Sequence, residues 1–293
     1  MLLSTLFFAG MNACVKQLHH LPVLEIIFFR SIFSIVASYV ALRRLGVAPF
    51  GQNHRLLISR GSTGALALVC YFASLQHLPL ATAVTVQYLA PIFTAVLGIW
   101  LVREPVRGWQ WVFFGLSFGG VVLVQQGSPV VAVAGPAGAK WVFLAVGVLG
   151  ALVSGLSYNA IRRLRGREHP LVIVFYFPLI TLPFAAVACL FNFTLPHGTD
   201  WLWLLACGAF TQGAQVAMTR AYQLERLSRV APLNYLGIFY ALGMGYAFFG
   251  ETFGLLAYAG MALVLLGVGL NAMYSARAEA RAAVAPLDAE VLA

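Results

Sequence analysis

Charged residues are confined to short clusters along this chain, and between the clusters lie apolar runs of about twenty residues. Ten runs follow one another, at 1–16, 21–41, 57–75, 81–101, 109–125, 141–161, 170–190, 201–221, 230–249 and 253–273. The breaks are Arg43-Arg44, Gln76 to Pro79, Arg103 to Arg107, Gly127 to Lys140, Arg162 to His169, Pro196 to Asp200, Glu225 to Arg229 and Gly250-Glu251. An apolar helix of this length crosses the hydrocarbon core of a bilayer. The pattern predicts an all-α membrane protein with ten transmembrane helices.

Composition agrees. Charged residues make up 9% of the chain, where a soluble domain carries about 25%, too few to clothe a surface in water. The net charge of +9 does not point to nucleic acid, because the cations sit in loops between apolar runs. Cys14, Cys70, Cys189 and Cys207 lie in or beside apolar stretches without a CxxC pair and read as core fillers. The first fifteen residues lack a basic leader and a small-residue cleavage site, so they count as a span.

With the N-terminus inside, the cytoplasmic loops and span ends hold Arg43, Arg44, Arg55, Arg60, Arg103, Arg107, Arg162, Arg163, Arg165, Arg167, Arg220, Arg226, Arg229, Arg277 and Arg281. The other side holds Lys16 and Lys140. This positive-inside bias predicts both termini in the cytoplasm of a bacterial cell, with the chain in its inner membrane.

Sliding the chain on itself by 147 positions aligns 12–124 with 159–271 without a gap, and 23 of the 113 pairs are identical. Composition alone gives roughly a tenth. Asn12 meets Asn159, Phe28 meets Phe175, Gly61 meets Gly208, Tyr88-Leu89 meets Tyr235-Leu236, and Glu104 meets Glu251. Each unit has five spans, an odd number, so the expected architecture is two inverted five-helix repeats. The units are 1–126 and 141–273, with a loop over 127–140 and a cytoplasmic tail over 274–293. The tail reads as a helical extension followed by a disordered end. Carried backwards, the offset maps Lys140 about seven residues before Met1, so a longer N-terminus is expected.

Asn12-x3-Lys16, Phe29-Arg30, Tyr71 to Pro91 before Glu104-Pro105, and Ala231-Pro232-Leu233-Asn234-Tyr235 before Glu251-Thr252 together resemble the drug/metabolite transporter superfamily, in its EamA-type ten-helix branch. The resemblance covers nearly the whole chain. It implies a central cavity lined mainly by helices one, three, four, six, eight and nine, an alternating-access cycle, and a weak tilt towards export. It does not fix a substrate, since relatives handle amino acids, riboflavin, adenosylmethionine, purines, sugars and opine metallophores. Ile238 stands where the first half has Pro91, so the halves need not bend alike.

The residues expected to bind substrate are polar groups inside spans. Arg30 lies near mid-membrane, where an arginine costs about 2.5–3.5 kcal/mol and so faces the bundle interior or a wet cavity. It either attracts an anionic group or latches helices; capping of backbone carbonyls is the structural alternative. Lys16 and Arg163 end spans one and six on opposite sides, where a helix C-terminus favours a cation; Lys16 is read as lining the outer mouth. Asn12 and Asn159 lie one turn earlier and serve packing or a ligand. Gln87-Tyr88 and Asn234-Tyr235 pair an amide with an aromatic. Gln212 and Gln215 share a face, and Tyr71 and Tyr158 could join them.

Glu104 and Glu251 read as acidic residues favoured at a helix start rather than as coupling groups. No carboxylate falls near the middle of a span, so the expected cycle is downhill movement, exchange, or proton coupling near the cavity mouths. No HExxH, intramembrane Asp pair or Ser/His/Asp set is present, which speaks against a membrane-embedded enzyme and against a metal or cofactor. No ring of like charge suggests a channel. The expected function is secondary transport of a small metabolite, amino-acid-like, vitamin-like or nucleoside-like, bearing a carboxylate or phosphate. The partners are that molecule and the bilayer; monomer and homodimer both remain open.

Overall fold

The computed structural model of the protein describes residues 1–18, 20–77, 86–126, 137–191, 193–240, 243 and 254–291. Among the described residues are ten α-helices, one 3-10 helix and no strand. The helices are α1 (Leu2–Gln17), α2 (Val23–Arg44), α3 (His54–His77), α4 (Ala90–Leu101), α5 (Gly108–Gln126), α6 (Ala137–Arg163), α7 (Pro170–Cys189), α8 (Asp200–Leu224), α9 (Leu227–Val230) and α10 (Leu255–Val291). The 3-10 helix, Ala231–Leu236, follows α9 directly.

Eight of the expected spans recur as helices with shifted ends. Helix α6 begins at Ala137, inside the stretch expected as a loop, and α10 runs on through the tail to Val291. Spans four and nine, expected as single helices, are interrupted. In span four, residues 86–87 are helical, Tyr88 and Leu89 form a turn, and α4 starts at Ala90 with Pro91 in its first turn. Span nine starts as α9, tightens into the 3-10 helix with Pro232 in its first turn, and is helical again over 237–240. Proline has no N–H to give and clashes with the preceding turn, so it starts a helix more readily than it continues one. The rest of both spans, and Glu251 with them, lies outside the described residues.

The most extensive helix pairings join the first half of the chain to the second: α1 with α8, α3 with α6, α2 with α7, and α5 with α10. Helix α4 also packs on α6, α3 on α7, and α2 on α8. Small residues set the closest approaches. A Cβ on Gly120 would stand 2.7 Å from the Gly260 carbonyl oxygen, and one on Gly267 would stand 2.9 Å from that of Phe113. Gly61 faces Ile180 and Gly208 faces Phe33.

The exterior is apolar, with Trp100, Trp109, Trp141, Phe184, Leu190 and Phe191 exposed. Among the described residues, four helices are long and apolar enough to cross a membrane by length and composition: Val23–Arg44, Trp141–Arg163, Pro170–Cys189 and Leu255–Arg277. Helices α3 and α8 are long enough but carry Arg60, Gln212, Gln215 and several hydroxyls. Their polarity is spent inward, as the site shows. Dense apolar packing fills the Arg-rich end of the bundle around Leu42, Leu57, Ile161, Leu164, Tyr222 and Leu227. At the other end, Cys14, Leu18, Leu21, Ile26, Leu204 and Cys207 pack together. Polar ties hold the loops there. The Glu25 carboxylate accepts the Thr194 N–H at 2.9 Å, and the Asp200 carboxylate lies 3.0 Å from the His20 ring.

Candidate functional site

Helices α1, α3, α6 and α8, with residues 87–91 and 234–237, surround a cavity of about 380 Å³, within the usual range for a small-molecule site. Six helices were expected to line it, and parts of all six spans do. Helices α2 and α7 add one side chain each, Arg30 and Phe177.

Two guanidiniums meet in this cavity from opposite ends of the bundle. Arg30 enters from α2, about 10 Å below the start of that helix, and is 8% exposed. Its Nη1 donates to the Met11 thioether at 3.7 Å. Ser31, Ser34, Thr211 and Gln215 line a small recess behind it. Arg60 enters from α3, about 9 Å from the other end, and is 2% exposed. The charge pattern assigns Arg60 to the cytoplasmic side; its side chain is buried and turned into the cavity. Its side chain runs along α3 over Gly64, where a Cβ would collide with the guanidinium. Nη2 donates to Gln215 Oε1 at 3.3 Å, and Cζ lies 5.2 Å above the Phe177 ring. The Arg60 Nε has no partner. Among the described residues neither arginine has a carboxylate within ion-pair distance.

The remaining wall is aromatic and amide. Tyr158 stacks on Tyr222 with ring centroids 4.9 Å apart, and the Tyr222 hydroxyl accepts from Asn234 Nδ2 at 2.9 Å. Gln87 donates to Ser154 Oγ at 3.3 Å, while its own carbonyl oxygen is buried without a partner. Asn12, Tyr71 and Tyr88 complete this side. Of the residues selected from the sequence, Asn12, Arg30, Tyr71, Gln87, Tyr88, Tyr158, Gln215 and Asn234 therefore come together.

Three do not join them. Asn159 is buried and donates to the Thr94 and Gly155 carbonyls at 3.0 and 2.9 Å, tying α6 to α4. Gln212 points to α2, where it donates to Ser38 Oγ at 2.8 Å. Three residues on a helix turn through about 60°, enough to part it from Gln215. Tyr235 is fully buried behind Tyr88, ring centroids 5.8 Å apart, among Val121, Val124 and Ile238. The Lys16 side chain lies outside the described residues. Besides Arg60, sequence reasoning missed Phe177, Ser154, Ser157, Met11 and Met218. Only Arg60 gave a signal, as a cation inside the run 57–75.

A polar knot lies at the Arg-rich end of the bundle. Glu104, in the loop between α4 and α5, accepts from Arg162 Nε at 2.7 Å and Nη2 at 2.6 Å. Its other oxygen accepts the Leu227 N–H at 2.8 Å, at the start of α9. Arg162 Nη1 donates to the Gln223 carbonyl at 2.7 Å, at the end of α8. Glu104 therefore acts through an ion pair between the halves, with two Arg162 nitrogens on one of its oxygens, where the sequence suggested the start of α5. Arg162, assigned to the cytoplasmic side by the charge pattern, is buried in that pair.

An apolar-walled helical bundle enclosing a polar, cationic cavity is built as a multi-pass membrane transporter. The chain belongs to the EamA-like transporter family, whose model matches residues 1–125 and 139–273. It is 34% identical over 268 residues to the pseudopaline exporter CntI of Pseudomonas aeruginosa PAO1, covering 90% of this chain and 91% of that protein. It is 25% identical to human solute carrier family 35 member G1, covering 86% of this chain and 72% of that one. A solved structure with 16% sequence identity superposes with a TM-score of 0.84, covering 94% of this chain and 96% of that chain, and shares the fold. The family and these relatives are transporters, and this chain is likewise not an enzyme.

Proposed function

We propose that this protein is a secondary transporter that exports a small organic metabolite bearing an acidic group across a bacterial inner membrane, by alternating access of the central cavity. The observation that carries the reading is Arg30, buried in the cavity wall with a thioether as its hydrogen-bond partner. A buried charge needs a counter-charge, and a substrate carboxylate or phosphate supplies one. Asn12, Gln87, Gln215 and Asn234 give the substrate hydrogen bonds, and Tyr71, Tyr88 and Tyr158 give it an apolar wall. In this reading Gln212, Asn159 and Tyr235 position the wall from behind, and Lys16 sits at the outer mouth.

The two halves are taken as inverted repeats exchanging roles through the cycle. Support comes from the packing, which maps onto itself under the 147-residue offset. The α1–α8 pair exchanges with α6–α3, while α2–α7 and α5–α10 each exchange with themselves. Gly61 against Ile180 exchanges with Gly208 against Phe33. The Glu104–Arg162 knot fits a latch that holds the Arg-rich end closed. The charge bias of the loops supports cytoplasmic termini, with the Arg-rich end on the cytoplasmic side.

Similarity to a pseudopaline exporter makes pseudopaline the first molecule to offer, alongside amino acids, vitamins and nucleosides with and without an acidic group. In proteoliposomes, unlabelled substrate outside is expected to accelerate efflux of its labelled form, and Arg30→Met to abolish that counterflow. Binding and transport restricted to cationic or acid-free compounds would contradict the reading.

A further inference from the structure

We infer that the substrate carries two acidic groups, one bound by Arg30 and the other by Arg60, across a middle section that packs on the tyrosine wall. The inference rests on the cavity being the substrate site and goes a step beyond it. One anionic group would balance one cation, yet the cavity holds two, 8% and 2% exposed, with no carboxylate paired to either among the described residues. Two unbalanced guanidiniums in one low-dielectric space repel each other, and a mono-acid leaves one buried charge without a counter-charge.

Both arginines are occupied by poor substitutes for an anion. Arg30 donates to a thioether, a weak acceptor. Arg60 rests on an amide oxygen and an aromatic face, with Nε unsatisfied. Each of these contacts is weaker than the forked pair a guanidinium makes with a carboxylate. Gln215 and Phe177 line the recess behind Arg30 and also touch Arg60. They lie beside both cations, and neither supplies the negative charge that a second acidic group brings. Gly64 is part of the arrangement, because the Arg60 guanidinium lies in the space a larger residue would take.

The test uses full-length protein in detergent. Apparent Kd is read from ligand-dependent Tm for linear dicarboxylates from succinate to suberate and for 1,4-phenylenediacetate, each against the monocarboxylate of the same shape. At least one diacid is expected to bind the parent protein roughly ten-fold tighter than its mono-acid, the gain of a second charge-assisted pair. Arg60→Met removes that preference while mono-acid affinity stays within about three-fold, because Arg30 still holds one carboxylate. Gly64→Ala, which keeps the charge and displaces the guanidinium, also weakens the preference and covers the case of a poorly folded Arg60→Met.

If no diacid in the series outbinds its mono-acid, or if Arg60→Met keeps the preference, the two-acid inference is overturned. Mono-acids that bind with no gain from a second carboxylate overturn this inference alone. Acids of neither kind binding, while acid-free compounds do, overturns the anionic-substrate reading with it.

Discussion

A buried arginine can be a structural pin or a charge kept for a ligand, and the two respond oppositely to removal. Arg162 is a pin: two of its nitrogens grip one Glu104 oxygen, and truncation leaves that half-buried carboxylate without its cation. Arg162→Met is expected to destabilise by about 3 kcal/mol, seen as a lower Tm with or without ligand. Arg30 and Arg60 have no such partner, so replacing either by Met removes a desolvated charge without stranding another. Both single variants are expected to keep the parent Tm or raise it, by up to about 2 kcal/mol of stability, while transport is lost. A large fall in Tm for either would mark it as structural. Asp200 offers a pH signature at the opposite end. The His197 amide N–H, and then the His20 ring, hold its carboxyl below the ordinary aspartate value. A depressed folded-state pKa contributes stability above the ordinary value and loses it as pH falls through the folded one. Asp200→Asn is therefore expected to lower Tm at pH 7, with a deficit that closes in acid over that range.

At the scale of helices, two contacts decide how the halves can move. Along α5 and α10 the backbones touch through Gly120, Gly260 and Gly267, with Val124, Val264 and Ser117 packed against the same points. Gly120→Val forces the helices apart and is expected to cost about 1–3 kcal/mol, read as a lower Tm in detergent. The Glu104 loop is the second contact, where one carboxylate joins α6 to the start of α9. Helix boundaries were legible in the sequence because the change from lipid to water is written in charge. Spans four and nine read less well, because hydropathy does not register the turn at Tyr88-Leu89 or the 3-10 stretch around Tyr235. The candidate site was legible where a polar residue faces the cavity, as Asn12, Gln87 and Asn234 do. Asn159 and Gln212 have the same side chains but satisfy a carbonyl and a serine in the packing. Composition cannot separate those fates, since a buried amide looks the same in sequence whichever partner it finds. Arg60 was misplaced for a related reason: counting loop cations treats an arginine one or two turns inside a helix as part of the loop.

For the molecule as a whole, the account joins two halves, one cavity and a latch at the Arg-rich end into a carrier that opens to one side at a time. A carrier of this kind shows its cavity to opposite faces of the membrane in alternation, whereas a pore shows it to both together. Ser157 lines the cavity beside Arg60, and with the four native cysteines replaced it can carry a single reporter thiol as Ser157→Cys. The deciding measurement is the reaction of that thiol with a membrane-impermeant maleimide, in right-side-out and inverted vesicles, with Glu104 intact and as Glu104→Gln. With the latch intact, labelling is expected from the outer face and little from the cytoplasmic face; Glu104→Gln raises cytoplasmic labelling and lowers outer labelling in step. Equal labelling from both faces at once, or cytoplasmic labelling indifferent to Glu104, would contradict it.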